Sequence, residues 1–367
     1  MLKSETDEIT FKNRNNYKTD DVKRGFEDGH IDSKILIFRD IIPMDNFIEH
    51  STMLIKKLFP QWRHLKTKEF TDGITNQLIL IENIESKERV LVRGFGNQTD
   101  LLIDRNQELK SYKNMIMLSK FGFCKTIYAR FANGLVYGYQ EGIPLDENNK
   151  KIAILIAKRL ASLHKIQDSS HKEACLFKMI NKWFAQMRTL NKLTLDELSS
   201  LEKLIEEANW LQQHLKTIES PIVFCHNDLL SANIILQENR NKLSIAVEFI
   251  DFEYAGNNYR GFDISNHFCE YAGFDCDYSL FPDDSFQKEW LKAYLDEYNG
   301  RESSDEEIFE IHKEVTNFTM ASHFFWGIWA RFQAEISSIE FDYRNYGLKR
   351  LTEYFKLKSN IETCNNK

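Results

Sequence analysis

The chain has 367 residues, 42% of them apolar and 28% charged, with a net charge of −7. That length can bury a substantial core in two domains or one two-lobed fold, and the acidic balance argues against a nucleic-acid partner, which needs a concentrated basic face. The most apolar windows, Ile152–Leu163 and Phe318–Ala330, are interrupted by Lys, Arg or His and fall short of the ~20 residues of a membrane span, so none is expected.

Residues 1–33 are rich in Lys, Asp, Asn and Glu without apolar periodicity and read as a mobile tail or loosely docked arm. From Lys34 the pattern becomes regular, with a helix over Phe47–Phe59. β-type runs follow at Asn76–Ile84 and Val90–Phe95, then a helix near Arg105–Leu118. Two further runs, Thr126–Phe131 and Leu135–Tyr139, flank the turn pair Asn133-Gly134. Residues 34–143 thus describe a small, strand-rich α+β lobe. After Gly142-Ile143-Pro144 the character changes, which places the boundary near 141–146. Ile152–Ile166 is an apolar helix, and 172–217 reads as amphipathic helices. Short β-type runs at Ile222–Phe224, Ile234–Leu236 and Val247–Asp251 come next, and the chain looks helical from Phe286 onward. Residues 144–367 form a larger helical lobe. The cysteines (Cys124, Cys175, Cys225, Cys269, Cys276, Cys364) have no paired spacing, so neither a zinc site nor a disulfide framework is suggested. With no signal peptide at Met1–Thr10, a cytoplasmic protein is expected.

The sharpest chemical signal is His226-Asn227-Asp228 with Asn233 five residues after the Asp, bracketed by Ile222-Val223-Phe224 and Ile234-Ile235-Leu236. Twenty-three residues beyond Asp228, the run Val247-Glu248-Phe249-Ile250 ends on Asp251. Phosphoryl transfer needs such a kit: one carboxylate to orient or accept the attacking hydroxyl's proton, and an Asn and a second carboxylate to hold Mg²⁺ against the ATP phosphates. Either motif alone reads as a turn or a strand-terminating acid; their order and spacing together point to the chemistry. Upstream, Asp72-Gly73-Ile74-Thr75-Asn76 leads into a strand, where Gly73 permits close approach of backbone N–H groups to phosphate and Thr75 and Asn76 add donors. An ordinary hairpin turn is the alternative. Arg93 could reach the phosphates and Glu108 could pair with it; the alternative is a surface ion pair. His226 reads as a support of its loop through hydrogen bonds, and His164, His267 and His323 as core histidines.

Two runs resemble the choline/ethanolamine kinase family: Val223-Phe224-Cys225-His226-Asn227-Asp228-Leu229-Leu230-Ser231-Ala232-Asn233, and the stretch from Phe249-Ile250-Asp251-Phe252-Glu253-Tyr254 to Phe262-Asp263-Ile264-Ser265-Asn266-His267-Phe268. Ala321-Ser322-His323-Phe324-Phe325-Trp326-Gly327-Ile328-Trp329 and Ile336-Ser337-Ser338-Ile339-Glu340-Phe341-Asp342-Tyr343 are similar to the family's C-terminal signatures. The resemblance runs from about Gly73 to Phe355. It implies a two-lobed, protein-kinase-like fold and ATP- and Mg²⁺-dependent phosphorylation of the hydroxyl of ethanolamine or choline. By matching position, Asp228 is the base, Asn233 and Asp251 are metal ligands, and Glu253 is a further metal-site carboxylate. Gly73, Thr75, Asn76 and Arg93 face the phosphates, with Glu108 as the partner of Arg93, and the connector with Gly138 and Gln140 faces the adenine. The amine pocket is implied at Tyr254, Glu270, Trp326, Trp329, Phe341 and Tyr346.

The physical case for that pocket is an aromatic wall that attracts an ammonium by ~0.5–2 kcal/mol per good contact. Trp326 and Trp329, three apart, share a helix face; burial as core is the alternative. Gly73-Ile74-Thr75-Asn76, Val92-Arg93 with Gly96-Asn97, Asn133-Gly134-Leu135 and Leu229-Leu230 look more like ethanolamine kinases, and Ser337-Ser338-Ile339-Glu340-Phe341 and Asp251-Phe252-Glu253-Tyr254 more like choline kinases. A homodimer is an option that the family brings. Two rivals remain: an aminoglycoside-type or protein kinase, against which the Trp pair counts, and a non-catalytic binding protein, which would be expected to lack Asp228 or Asp251.

Overall fold

The computed structural model describes residues 22–24, 35–39, 41–70, 76–95, 105–145, 152–167, 173–190, 195–238, 245–337 and 339–365. The chain divides into two compact units, residues 1–102 with 126–139, and residues 103–125 with 140–367.

In the first unit, β1 (Val22–Arg24), β2 (Leu36–Phe38), helix α1 (Phe47–Leu58), β3 (Leu65–Phe70), β4 (Asn76–Asn83), β5 (Arg89–Phe95), β6 (Ile127–Phe131) and β7 (Gly134–Gly138) follow in chain order. The strands form one sheet in the order β1-β2-β6-β7-β5-β4-β3; β2 and β6 pair in parallel, and the other neighbours are antiparallel. Alternation builds the core. Ile79 and Ile81 of β4, Val90 and Val92 of β5 and Val136 of β7 bury one face against Phe47, Leu54 and Ile55 of α1. Gly94 sits where α1 crosses closely: an added Cβ would lie 2.4 Å from the Phe47 ring. Val22–Arg24 falls inside the segment that sequence reads as a tail, yet it pairs with Leu36–Phe38. The remainder of residues 1–33 lies outside the described residues.

The second unit begins with α2 (Arg105–Lys120), whose sequence precedes the 141–146 break. Its Leu118 shares a buried cluster with α3 (Ala153–His164). β8 (Ile143–Pro144), α4 (Leu176–Thr189), α5 (Leu195–Leu215), β9 (Ile222–Cys225), β10 (Ile234–Glu238), β11 (Ile245–Phe249), β12 (Gly256–Tyr259), α6 (Arg260–Cys269), α7 (Asp284–Asn299), α8 (Asp305–Ile336) and α9 (Tyr343–Asn365) complete it. Two small sheets, β11-β10-β8 and β12-β9, carry the loops of interest. Helix α8 starts in a capping box, Ser304 and Glu307 exchanging hydrogen bonds with each other's backbone. It is buried continuously from Phe318 to Ala330, as expected of a helix that is apolar all round. Helix α9 packs on it closely, since a Cβ on Gly327 would meet Leu351 at 2.7 Å.

Among the described residues, no helix is long and apolar enough to cross a membrane.

Candidate active site

Asp228 lies in the loop between β9 and β10, and three buried groups set that loop's shape. Asn227 holds a left-handed backbone (φ 67°), a conformation that costs a non-glycine residue energy unless its surroundings impose it. Asp263 of α6 imposes it. Its carboxylate, fully buried, accepts the backbone N–H of His226 at 2.8 Å and of Asn227 at 2.6 Å. A carboxylate only accepts, so His164 Nε2 must donate to it, at 2.9 Å, and His164 Nδ1 accepts from the Tyr294 hydroxyl at 2.8 Å. Burial would raise the Asp263 pKa, but the hydrogen bonds that it accepts from His164 and from the His226 amide hold it below the usual carboxylate range.

His226 ties the two acidic loops together. Its Nε2 donates to the Ile250 carbonyl at 2.9 Å, and its Nδ1 accepts from the Asp228 N–H at 3.3 Å. Burial lowers its pKa, so it acts as a neutral strut, as its sequence context suggests. Asn233 Nδ2 donates to the Asp228 carbonyl at 2.8 Å and to its carboxylate at 3.3 Å, which leaves the amide oxygen as the ligand atom Asn233 can offer. The Ile250 N–H donates to the Asn233 carbonyl at 3.0 Å. Strand β11 ends at Phe249, so Asp251 is not its last residue. Instead Asp251 sits two positions beyond in a left-handed conformation (φ 60°, ψ 62°) at the head of a single turn holding Glu253 and Tyr254. Burial first, and then the charges of Glu270, Asp251 and Glu253, push the Asp228 carboxyl well above its ordinary range. Asp228 thus feels the charge of three other carboxylates.

An aromatic chain adjoins them. Tyr254 packs edge-on against Trp326 at 5.5 Å, Trp326 against Trp329 at 5.2 Å, and Trp329 against Tyr343 at 5.7 Å. Phe341 touches Tyr343 at 4.8 Å and Tyr346 at 5.8 Å, and Phe274 closes on Phe341 at 5.7 Å. Both indoles are fastened: Trp326 Nε1 donates to Asn266 Oδ1 at 2.6 Å, and Trp329 Nε1 to the Tyr254 hydroxyl at 3.0 Å. Phe341 is 37% exposed whereas Trp326 and Trp329 are 6% and 9% exposed, so the wall runs from the interior to the surface. Glu270 forms an ion pair with Arg350 at 3.3 Å, and Arg350 also donates to the Tyr346 hydroxyl at 3.2 Å.

The second unit therefore holds Asp228, Asn233, Asp251, Glu253 and the six residues expected to line an amine pocket. In the first unit, Arg93 lies in β5 between Leu78 and Leu135, on the face opposite the α1 core, and Gly138 ends β7. Gln140 follows the sheet and donates to the Glu141 carbonyl at 3.2 Å. Gly73 and Thr75 lie outside the described residues; Asn76 opens β4 and Glu108 lies on α2, with only their backbone described. Sequence reasoning assigned no part to Asp263, Asn266, Arg350, Tyr343 or Phe274. A further trio, His164, Cys225 and Asp263, comes within 4.8 Å, but Asp263 is already engaged by three donors.

The choline/ethanolamine kinase family model matches residues 67–355. Ethanolamine kinase 1 of Mus musculus is 40% identical over 328 residues, covering 84% of this chain and 88% of that one. An ethanolamine kinase of Plasmodium vivax is 29% identical with a TM-score of 0.73, covering 85% of this chain and 89% of that one. A choline kinase from Cryptosporidium parvum, 24% identical, shares the fold with a TM-score of 0.71, covering 87% of this chain and 97% of that one. The fold is the protein-kinase-like one, a β-sheet lobe with a helical region.

Proposed function

The chain belongs to the choline/ethanolamine kinase family, and from that premise we propose that ethanolamine is its preferred acceptor and Asp228 its catalytic base. It is an ATP-dependent kinase that phosphorylates the hydroxyl of ethanolamine or choline. The observation that carries our reading is the adjacency of the Asp228 carboxylate cluster to the aromatic wall and Glu270.

In this reading Asp228 orients the acceptor hydroxyl and takes its proton as the oxygen attacks the γ-phosphorus of ATP. The hydrogen bond from Asn233 Nδ2, at 3.3 Å, holds the Asp228 carboxylate in place for that task. Asn233 Oδ1, Asp251 and Glu253 would hold Mg²⁺. They fit it on two grounds: the donors are all oxygen, and the charges of Glu270, Asp251 and Glu253, which add to burial in raising Asp228, mark negative charge that a divalent cation offsets. Bound there, the metal would neutralise charge on the transferring phosphoryl group. By motif match we assign Gly73, Thr75, Asn76 and Arg93 to the phosphates, Glu108 to Arg93, and Gly138 and Gln140 to the adenine. Trp326, Trp329, Tyr254, Phe341 and Tyr346 form the aromatic wall that attracts the ammonium through ring faces, and Glu270 accepts its N–H groups.

Three N–H donors distinguish ethanolamine's ammonium from choline's trimethylammonium, which can only be attracted diffusely. The 40% identity to an ethanolamine kinase supports the same choice. Five cysteines among the described residues are free thiols, in keeping with a cytoplasmic location. The test is kcat/KM for ethanolamine and choline side by side with Mg²⁺ and ATP. A higher value for ethanolamine is expected. A higher value for choline would overturn the preference, and turnover of neither would sink the assignment.

A further inference from the structure

Asp263, Asn266, His267 and Glu270 fall at the i, i+3, i+4, i+7 spacing that lines one face of a helix. Three of them grip the loop on either side of Asp228. Asp263 holds the amides of His226 and Asn227, Asn266 Nδ2 donates to the Asn227 carbonyl at 3.3 Å, and His267 Nδ1 donates to the Leu229 carbonyl at 2.9 Å. The fourth, Glu270, opens the turn after α6. The helix therefore fixes Glu270's backbone relative to the catalytic loop. It does not fix the carboxylate, which stands on three rotatable side-chain bonds.

Arg350 does that. Its guanidinium, 1% exposed, reaches Glu270 Oε1 at 3.3 Å through one terminal nitrogen and Ser322 Oγ at 2.9 Å through the other. Guanidinium nitrogens only donate, so the Ser322 proton is free to go to Asn266 Oδ1, 2.8 Å away, the same atom that anchors Trp326. An unbroken buried chain, Glu270–Arg350–Ser322–Asn266–Asn227, thus runs from the amine-binding carboxylate to the loop that carries the base.

The acceptor has two ends to place, a hydroxyl at Asp228 and an ammonium at Glu270. Resting on the ethanolamine reading above, we propose that Ser322 and Arg350 are positioning residues that set this spacing, so that the enzyme selects a two-carbon amino alcohol over its three-carbon homologue. Neither touches substrate. Both act by holding Glu270 where the ammonium of a two-carbon acceptor arrives when its hydroxyl is at Asp228. Misplacing a reacting group by about 1 Å can cost up to ~10²-fold in rate, so a loosened carboxylate penalises the fitted substrate more than the unfitted one.

The test uses the full chain and Ser322→Ala, reading kcat/KM for ethanolamine and for 3-aminopropan-1-ol together with the KM for ATP. The ethanolamine-to-aminopropanol ratio should fall by about tenfold with the KM for ATP unchanged, the loss lying on the fitted substrate. An unchanged ratio in a folded variant, whether both activities persist or fall in parallel, assigns Ser322 to packing and overturns the proposal. If Ser322→Ala does not fold, Arg350→Lys carries the same test: it keeps a cation beside Glu270 but cannot span Glu270, Tyr346 and Ser322 at once. Wild-type ethanolamine turnover is measured alongside. Its absence would remove the functional reading and this proposal with it, an outcome distinct from an unchanged ratio.

Discussion

Asp263→Asn is the sharpest test of how the catalytic loop is held. The substitution keeps size and shape but replaces one carboxylate oxygen by a donating NH₂ group. The native carboxylate receives three hydrogen bonds, from His226 N–H, Asn227 N–H and His164 Nε2. Its Oδ1 serves Asn227 and its Oδ2 serves both others, so whichever way the amide turns, at least one buried donor faces another donor. Hydrogen bonds to a charged group are worth ~1.5–3 kcal/mol each, and an orphaned buried donor costs ~1–3 kcal/mol more, so a loss of about 3–5 kcal/mol is expected. Asn227 would then be released from its left-handed conformation and Asp228 displaced, lowering kcat by ~10²-fold.

Urea denaturation gives the first quantity, and turnover at saturating ATP and ethanolamine, measured where the variant is folded, gives the second. The pH dependence supplies an independent check. The folded pKa of Asp263 is depressed, so the stability it contributes is present above its ordinary value of 3.8 and is lost as pH falls through the lower folded value. The gap between wild type and variant should stay constant down to about pH 5 and close only below about pH 4. A variant with wild-type stability and turnover, or a gap independent of pH, would refute the role given to Asp263.

Asp228→Asn should cut kcat by at least ~10²-fold while raising the melting temperature at pH 8 in the absence of divalent metal. The folded pKa of Asp228 is raised, so its contribution to stability is present below its ordinary value of 3.8 and is lost as pH rises through the folded value. The variant's advantage should therefore vanish on acidification, and a melting temperature at or below wild type at pH 8 would count against the crowding. Asp251→Ala should abolish activity at ordinary Mg²⁺; unchanged activity across a Mg²⁺ titration would remove Asp251 from the metal site. Trp329→Phe keeps a ring but loses the bond to the Tyr254 hydroxyl, worth ~1 kcal/mol, and should move both KM values only a few-fold. Trp329→Ala should raise KM for choline more than for ethanolamine, because choline relies on the aromatic face. Equal losses with a steep drop in melting temperature would return Trp329 to the core.

The site residues that the sequence proposes are those whose chemistry admits few substitutes. Asp228, Asn233 and Asp251 stand out because residue type, order and spacing coincide, and Trp326 and Trp329 because they are three apart. Most of the long apolar elements were legible too: the helix expected over Phe47–Phe59 is Phe47–Leu58, and the run expected over Val90–Phe95 is Arg89–Phe95. What escaped is held by partners far along the chain. Strand β12, Gly256-Asn257-Asn258-Tyr259, has almost no β-forming residues and exists because β9 pairs with it. Strand β3, Leu65–Phe70, carries two lysines and a glutamate and is likewise fixed by its neighbour β4.

The polar face of α6 is the instructive case. Asp263, Asn266 and His267 repeat at helical spacing among buried Phe262, Ile264, Phe268 and Cys269, and partly buried Glu270 continues the stripe just past the helix. A buried polar stripe requires polar partners, so the helical spacing of these residues implies that the segment is met by polar groups. The spacing cannot say which, because the loop that α6 holds lies some forty residues earlier and Arg350 eighty residues later. Reacting groups are constrained by the reaction and so are visible locally. The groups that hold them are constrained only by the folded geometry, and many side chains could have done the same work. Asn266 joins the two kinds. It binds the Asp228 loop through its nitrogen and both Ser322 and Trp326 through its oxygen, so one buried amide orients the proposed proton acceptor and the proposed ammonium wall together. In the proposed reading, the two ends of a substrate with only two carbons between them are thereby referred to a single side chain.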